Sequence, residues 1–380
     1  MDTSSEIIHA LLPVYLVTAL GASMVAVGFI EGIAEGAASI SKVFSGALSD
    51  WLGKRKFLAV TGYGLAAISK PIFPLASSIS WFIAARFIDR VGKGIRGAPR
   101  DALVADIAPV HLRGAGFGLR QSLDTVGAFV GPTLAIGLMW LTANDFHVVF
   151  WFAVVPAFLS VGLLVFGVRE PERPRTLRKV YSPLSVAELQ RLGLDYWWVV
   201  GIAVVFLLAR FSEAFLILRA QSVGLPLMFV PLVLVLMNVV YALAAYPAGA
   251  LSDRANRLSI LAVGFGFLVA ADLVFAFTSG LGSTAVGVTL WGLHMGFTQG
   301  LLASLVADTA PPELRGTAYG IFNLLGGLAL LVASVLAGTL WDSIGPRATF
   351  LTGAAFTGLA LVGLAIIRRV APRVGQVPAA

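Results

Sequence analysis

Apolar runs of about twenty residues recur along the chain, near 7–23, 24–48, 57–77, 79–106, 115–141, 146–168, 197–218, 228–251, 258–279, 284–308, 317–340 and 348–368, with short polar connections between them. Runs of this length match the hydrocarbon core of a bilayer crossed by a helix. They are too long and too unbroken for tilted barrel strands of about ten residues. A backbone exposed to lipid must also satisfy its own hydrogen bonds, so each run reads as a helix. The pattern predicts an all-α polytopic membrane protein with twelve transmembrane helices.

The connections alternate in charge. Those holding Lys54, Arg55 and Lys56, then Arg113, Arg169 to Arg191, Arg254 and Arg257, Arg315, and finally Arg368, Arg369 and Arg373 are basic. The intervening turns "LGAS", "ASSIS", "TANDFH" and "TSGLGS" hold no Lys or Arg, and Arg347 is the one exception in the last of the set. The positive-inside rule then places both termini in the cytoplasm of a protein integral to the plasma membrane, the inner membrane in a bacterium. The longest connection is charged and proline-rich before Ser185 and Glu188, which stand at capping-box spacing ahead of Leu189 and Leu192. It reads as a cytoplasmic linker, 169–196, ending in a short amphipathic helix at the membrane surface.

Composition agrees with the pattern: 58% of the residues are hydrophobic and 12% charged. The formal charge of +7 does not point to nucleic acid, because the basic residues sit in the short connections. There is no cysteine, which excludes disulfides, thiolate metal sites and a cysteine nucleophile. No cleavable signal peptide is read, since the first apolar run follows Met1 without a basic region or a small-residue cleavage site. The chain also has no G-x-x-x-x-G-K-[ST], H-E-x-x-H or G-x-S-x-G motif. ATP is therefore not the expected energy source, an embedded enzyme is not the expected class, and no cofactor is expected.

An internal repeat is visible. "LVADIAPVHLRGAGFGL" at 103–119 returns as "LVADTAPPELRGTAYGI" at 305–321, and "SGALSDWLGKRKFLAV" at 45–60 returns as "AGALSDRANRLSILAV" at 248–263. The offset spans six helices, so the expected architecture is two pseudo-symmetric six-helix bundles, 1–168 and 197–370, followed by a cytoplasmic tail, 371–380. Only Met1 to Ser4 precede Ser5 and Glu6, whereas a long apolar stretch from Tyr196 precedes Ser212 and Glu213. If those pairs correspond, the first helix is short at its cytoplasmic end, with Asp2 and Glu6 inside the span.

On these motifs the chain resembles the major facilitator superfamily over its whole length. "GALSDWLGKRK" is similar to that family's loop signature between helices 2 and 3, with Gly46, Asp50, Gly53, Lys54 and Arg55 in place. The second copy keeps Asp253 and Arg254 but has Asn256 near the glycine position, which weakens that half. "GAFVGP", with Gly127, Gly131 and Pro132, resembles a helix 5 packing motif associated with antiporters, and "RFIDRVGKGIRGAPRD" stands where the family carries an Arg and Gly motif in helix 4. The resemblance implies a secondary active transporter working by alternating access, with a lean toward export. The loop motif also has its own physics: an Asp beside Lys and Arg forms a charge cluster able to break and reform as bundles rock.

Within helix 4, Arg86, Asp89, Arg90, Lys93, Arg96 and Arg100 fall in an arc of about 120° on one helix face. Each central charge costs roughly 2.5–3.5 kcal/mol on insertion scales, so this face must meet partners or water rather than lipid. Pro99 is expected to kink or end the regular helix. Candidate partners are Glu31 and Glu35 in helix 2, Arg120 and Asp124 in helix 5, and Glu6 in helix 1. Asp89 and Glu35 lead as proton-coupling groups, and Arg86, Arg90 and Arg120 as anion contacts, because carboxylates beside cations can exchange protons and surplus guanidinium groups can hold an anion. Arg96, Arg100 and Asp101 are assigned to the cytoplasmic gate. The competing reading of the whole set is a structural salt-bridge lock.

A second alternative is divalent metal efflux. Asp2, Glu6 and His9 share one face of helix 1 at i, i+4, i+7 spacing, and carboxylates with one imidazole suit such an ion. His111 and His147 read as loop residues and His294 as a packing residue. Trp291 is expected to line a substrate cavity, while the other tryptophans sit near span ends. The expected function is transport of a small solute, an organic anion coupled to protons, by a monomer in the lipid bilayer. A non-transporting receptor is the alternative from another class.

Overall fold

The computed structural model describes residues 1–52, 54–107, 113–170, 191–252, 255–311 and 314–370. Its helices are α1 (Asp2–Thr18), α2 (Met24–Leu52), α3 (Arg55–Ser69), α4 (Ile72–Leu75), α5 (Ile79–Ile107), α6 (Arg113–Leu141), α7 (Phe146–Gly167), α8 (Leu194–Ala209), α9 (Ala214–Ser222), α10 (Leu232–Ser252), α11 (Arg257–Phe277), α12 (Leu281–Thr309), α13 (Arg315–Ser343) and α14 (Pro346–Val370). Two of the twelve runs are broken helices. The third divides into α3 and α4 at Lys70 and Pro71, and the seventh into α8 and α9 around Arg210 to Glu213. Among the described residues nine segments are long and apolar enough to cross a membrane by themselves. The remaining three runs are α1, with 17 residues, the charged α5, and α12, diluted by His294, Thr298 and Gln299.

Contacts divide the chain into two compact units. The first holds Met1–Ala22, Ile33–Pro183 and Leu227–Leu232; the second holds Ser23–Gly32, Leu184–Pro226 and Val233–Ala380. Most of the 169–196 connection and all of the 371–380 tail lie outside the described residues, as does His111.

In the first unit α3 and α5 approach until backbones touch. A Cβ on Gly62 would stand 2.7 Å from the Gly92 carbonyl oxygen, and one on Gly92 would stand 2.6 Å from the Gly62 oxygen, so neither position tolerates a side chain. The helix α5 does not end at Pro99 but continues through it to Ile107. Proline removes the N–H that Ile95 would have received one turn back, and Ser45 Oγ from α2 donates to that carbonyl at 2.5 Å. The missing backbone bond is thus replaced from a neighbouring helix. Glu170 accepts from the Arg55 and Lys56 N–H groups at 2.5 and 3.2 Å, capping α3.

His147 is not a loop residue. It lies in the first turn of α7, donates from Nδ1 to the Pro74 carbonyl at 2.9 Å and accepts the Tyr15 hydroxyl at 3.2 Å. Tyr15 meets the His147 ring edge-on and packs against Phe82, Phe146 and Phe150, with Phe73 against Phe82 and Phe150. The outward side of α7 carries Phe158, Leu159, Leu163 and Phe166, the last 89% exposed, which is the composition of a surface facing lipid.

The second unit is apolar and aromatic. Phe206 stacks on Phe265 at 4.2 Å, Phe275 on Phe350 at 4.9 Å, and Phe211 contacts Phe215, Trp291 and Phe350. Its capping contact comes from the end of α13, where Asp342 accepts from the Met24 and Val25 N–H groups at 3.0 and 2.8 Å.

Candidate functional site

The charged face of α5 points into the first unit. Arg86, Asp89, Arg90 and Arg96 are at most 3% exposed, which removes them from lipid as the insertion cost requires. Asp89 accepts from Lys70 Nζ at 2.8 Å and lies 3.7 Å from Arg90 Nε. Lys70 also donates to Ser5 Oγ at 3.0 Å, so α1, α3 and α5 meet at one ammonium group. Arg86 Nη2 donates to His9 Nδ1 at 2.7 Å, which fixes that ring nitrogen as an acceptor. Arg90 Nη1 is 3.5 Å from Glu35 of α2, whose side chain is 40% exposed.

Further along, Arg96 reaches Asp2 at 3.1 Å and lies over the Tyr63 ring at 4.8 Å. Arg120 bonds Asp101 at 2.9 Å and lies 3.5 Å from Asp124; Arg100 is 3.2 Å from Asp101 and 3.6 Å from Asp124. These four form a square in which each cation meets both anions. The α5 stripe therefore consists of a buried upper part around Asp89 and a half-exposed square at the far end, both within the first unit.

Lys93 stands apart. It lies in the charge field of Arg90, Glu35, Glu6 and Arg96, yet its side chain is exposed. A cation surrounded by protein charges but open to solvent lines a wet face of the unit. Glu6 sits against α6, where a Cβ on Gly131 would come within 2.6 Å of the Glu6 Cβ, and a Cβ on Gly127 within 3.0 Å of the Asp2 Cβ. The "GAFVGP" glycines thus let α6 close on the first turns of α1, with Pro132 one residue on inside the same helix.

Glu31 is placed elsewhere. It belongs to the second unit, is buried, and accepts from Ser212 Oγ at 3.4 Å, whereas Glu35, one turn on, belongs to the first. Of the loop motif, Lys54 is exposed at the start of α3 and Arg55 Nη1 donates to the Ala102 carbonyl at 2.9 Å. Gly53, Asp253 and Arg254 lie outside the described residues, as do the side-chain positions at Gly46 and Asp50. The metal alternative finds no support in the geometry. Asp2 is engaged by Arg96 and His9 by Arg86, and among the described residues no group of three His, Asp or Glu side chains is gathered to hold an ion.

From the sequence Lys70 has no assigned role, Asp272 counts only among the sparser polar residues of the second half, and Trp291 is given a different setting. Lys70 is the sole charge within the 57–77 run, and that isolation was a usable signal for a buried partner. Asp272 has the same status in its own run. Trp291 does not line an open cavity: it is fully buried against Phe211 and His294.

Comparison with known proteins agrees with this architecture. A family model described as Major Facilitator Superfamily matches residues 1–334. An uncharacterised MFS-type transporter of Methanocaldococcus jannaschii is 34% identical over 372 residues, covering 95% of this chain and 91% of that one. Among solved structures, a mutant of the peptide transporter POT superposes with a TM-score of 0.81 at 16% identity, over 99% of this chain and 93% of that chain. The human organic anion transporter MFSD10 gives 0.63 at 20% identity, over 96% of each chain.

Proposed function

The chain belongs to the major facilitator superfamily and is an integral membrane transporter of a small molecule, not an enzyme; from that premise we propose that it moves an organic anion by alternating access coupled to protons. The observation that carries the reading is Lys93, an exposed ammonium on a face whose neighbours Arg90 and Arg96 are buried cations. An anion reaching Lys93 meets a positive field in a low-dielectric surround, and the guanidinium groups behind it add to the attraction. The similarity to MFSD10 supports the fold alone at its level of identity, so the anion class rests on this charge distribution.

Proton coupling is assigned to Glu35 ahead of Asp89. Glu35 is accessible and its contact with Arg90 is long, so a proton can exchange for that contact. Asp89 is held in a short buried pair by Lys70 and serves as the lock that keeps α3 and α5 together. The square of Arg100, Asp101, Arg120 and Asp124, with the loop motif carrying Lys54 and Arg55, is the proposed cytoplasmic gate. Both termini in the cytoplasm, the two bundles bridged by 169–196, a monomeric state and export as the direction belong to the same proposal. The topology, the two bundles and the direction are supported in turn by the basic connections, the repeat and the "GAFVGP" packing.

The test is luminal pH in proteoliposomes while organic anions, lipophilic cations, and ferrous or zinc ions are added outside in turn. An organic anion is expected to change luminal pH in protein-containing vesicles, and Lys93→Gln to reduce that response. A response to metal or lipophilic cations alone, or none to any class, overturns the reading.

A further inference from the structure

The second unit holds one acid whose surroundings differ from those of the carboxylates described in the first. Asp272 lies in the C-terminal third of α11, is fully buried, and neither of its carboxyl oxygens has a hydrogen-bond partner among the described residues. Gly353 of α14 presses on it: a Cβ there would stand 2.7 Å from Oδ2 and 3.2 Å from the Phe211 ring. The register of α11 on α12, with Gly264 against Thr298 and Gly287 against Phe275, puts Asp272 level with Leu290 and Trp291. The indole N–H of Trp291 and Nε2 of His294 are likewise buried without partners among the described residues. Three side chains with unsatisfied polar atoms thus occupy adjacent turns of two packed helices inside an aromatic core.

Among the described residues, no cation answers Asp272 from the elements around it. On α12 the titratable groups are His294, one turn from its level, and Asp308, which pairs with Arg257 at the far end. On α14, Arg347 covers the Phe277 ring and Arg368 donates to Ser259 Oγ. Arg219 of α9 is spent on the Phe275 and Thr278 carbonyls at 3.1 and 2.8 Å, and Arg210, which follows α8, bears on His294. An ionised carboxylate left without partners in such a place costs several kcal/mol, and the space beside it is closed by Gly353 and Phe211, so the species that fits is a proton.

We propose that Asp272 is a proton-loading site of the second unit, separate from the Glu35 and Asp89 network, with Trp291 and His294 as the polar groups beside it. This rests on the proton-coupled reading above. The charge on Asp272 is then tolerated only in a conformation that admits water or a cation, which makes its proton a reporter of conformation.

The experiment is pH-dependent infrared difference spectroscopy on the full chain reconstituted in lipid, with no solute added. A titrating protonated-carboxyl C=O band at the high frequency of a carboxyl without hydrogen bonds is expected in the parent, absent in Asp272→Asn and retained in Glu35→Gln, which removes only the separate band of Glu35. Because Gly353→Ala crowds the same oxygen, it is expected to move the band's midpoint, and it serves as the second variant if Asp272→Asn does not fold. Survival of that high-frequency band unchanged in Asp272→Asn, its absence from the parent, or an unmoved midpoint in Gly353→Ala overturns the proposal. Failure here is separable from failure of the transport reading. A silent vesicle assay with an intact Asp272 band rejects the latter alone, and proton-driven flux with no Asp272 band rejects the former alone.

Discussion

The first unit gathers its buried charge into reciprocal pairs, while the second leaves a single acid without an answer among the described residues. Around α5, each buried cation meets a carboxylate, a ring nitrogen or a carbonyl, and the charges hold three or four helices together. Around α11 the same architecture is filled with stacked rings, and Asp272 sits among them with no described partner. Two halves recognisable as copies by their motifs have therefore adopted opposite solutions to polar burial. In the first, charge contributes structure as much as chemistry; in the second, structure comes from packing, and a lone polar group has no structural work to do.

The largest test of that contrast is Lys70→Met, which leaves the buried Asp89 with only the longer contact to Arg90 and is expected to cost about 3 kcal/mol of stability. Thermal unfolding of the purified chain in detergent measures it. Adding Asp89→Leu to the same variant is expected to recover most of the loss; a single variant that melts like the parent would remove the lock. Next, Gly131→Leu forces a side chain onto Glu6 and is expected to cost roughly 1–3 kcal/mol, against little change for Gly137→Leu, where nothing lies within 4 Å. Equal losses at the two positions would contradict the close approach of α1 and α6.

Caps come third and compare the units directly. Glu170→Ala in the first and Asp342→Ala in the second each remove an acceptor shared by two backbone N–H groups, so each is expected to cost about 1 kcal/mol by the same melt. The smallest effect belongs to Asp272→Asn. With no partner to lose, it is expected to stay within about 1 kcal/mol of the parent, while Asp89→Asn loses clearly more. A severe loss at Asp272 would reveal a bond to it and erase the difference between the units.

Much of this was legible in the sequence because hydrophobic length and motif repetition are local properties. The twelve runs and the charged face of α5 follow from spacing, and the packing role of "GAFVGP" from the resemblance of that motif. What was not legible depends on which helix stands beside which. The Ser45 hydroxyl that repairs the backbone at Pro99 comes from α2, so reading α5 alone leaves open an end at Pro99 that does not occur. The partner of Asp89 is likewise Lys70, at the break between α3 and α4 within a run read as plain apolar. Glu31 and Glu35 look equivalent on a helical wheel, but the division of α2 between the two units separates them. The same limit hid Asp272, since an absent partner is a property of the packed core.

The charged face of α5 has a consequence for biogenesis. Taken alone, a segment with Arg86, Asp89, Arg90, Lys93 and Arg96 at roughly 2.5–3.5 kcal/mol per central charge opposes its own partition into lipid. Its neighbours supply the remedy: Lys70 from the end of α3, Glu35 from α2, and Ser5, His9 and Asp2 from α1. Those three helices leave the ribosome before α5 does. The nascent chain can therefore hold them at the translocon until α5 arrives, so that the first four spans enter the bilayer as a group and the order of synthesis itself provides the solvent for the charges.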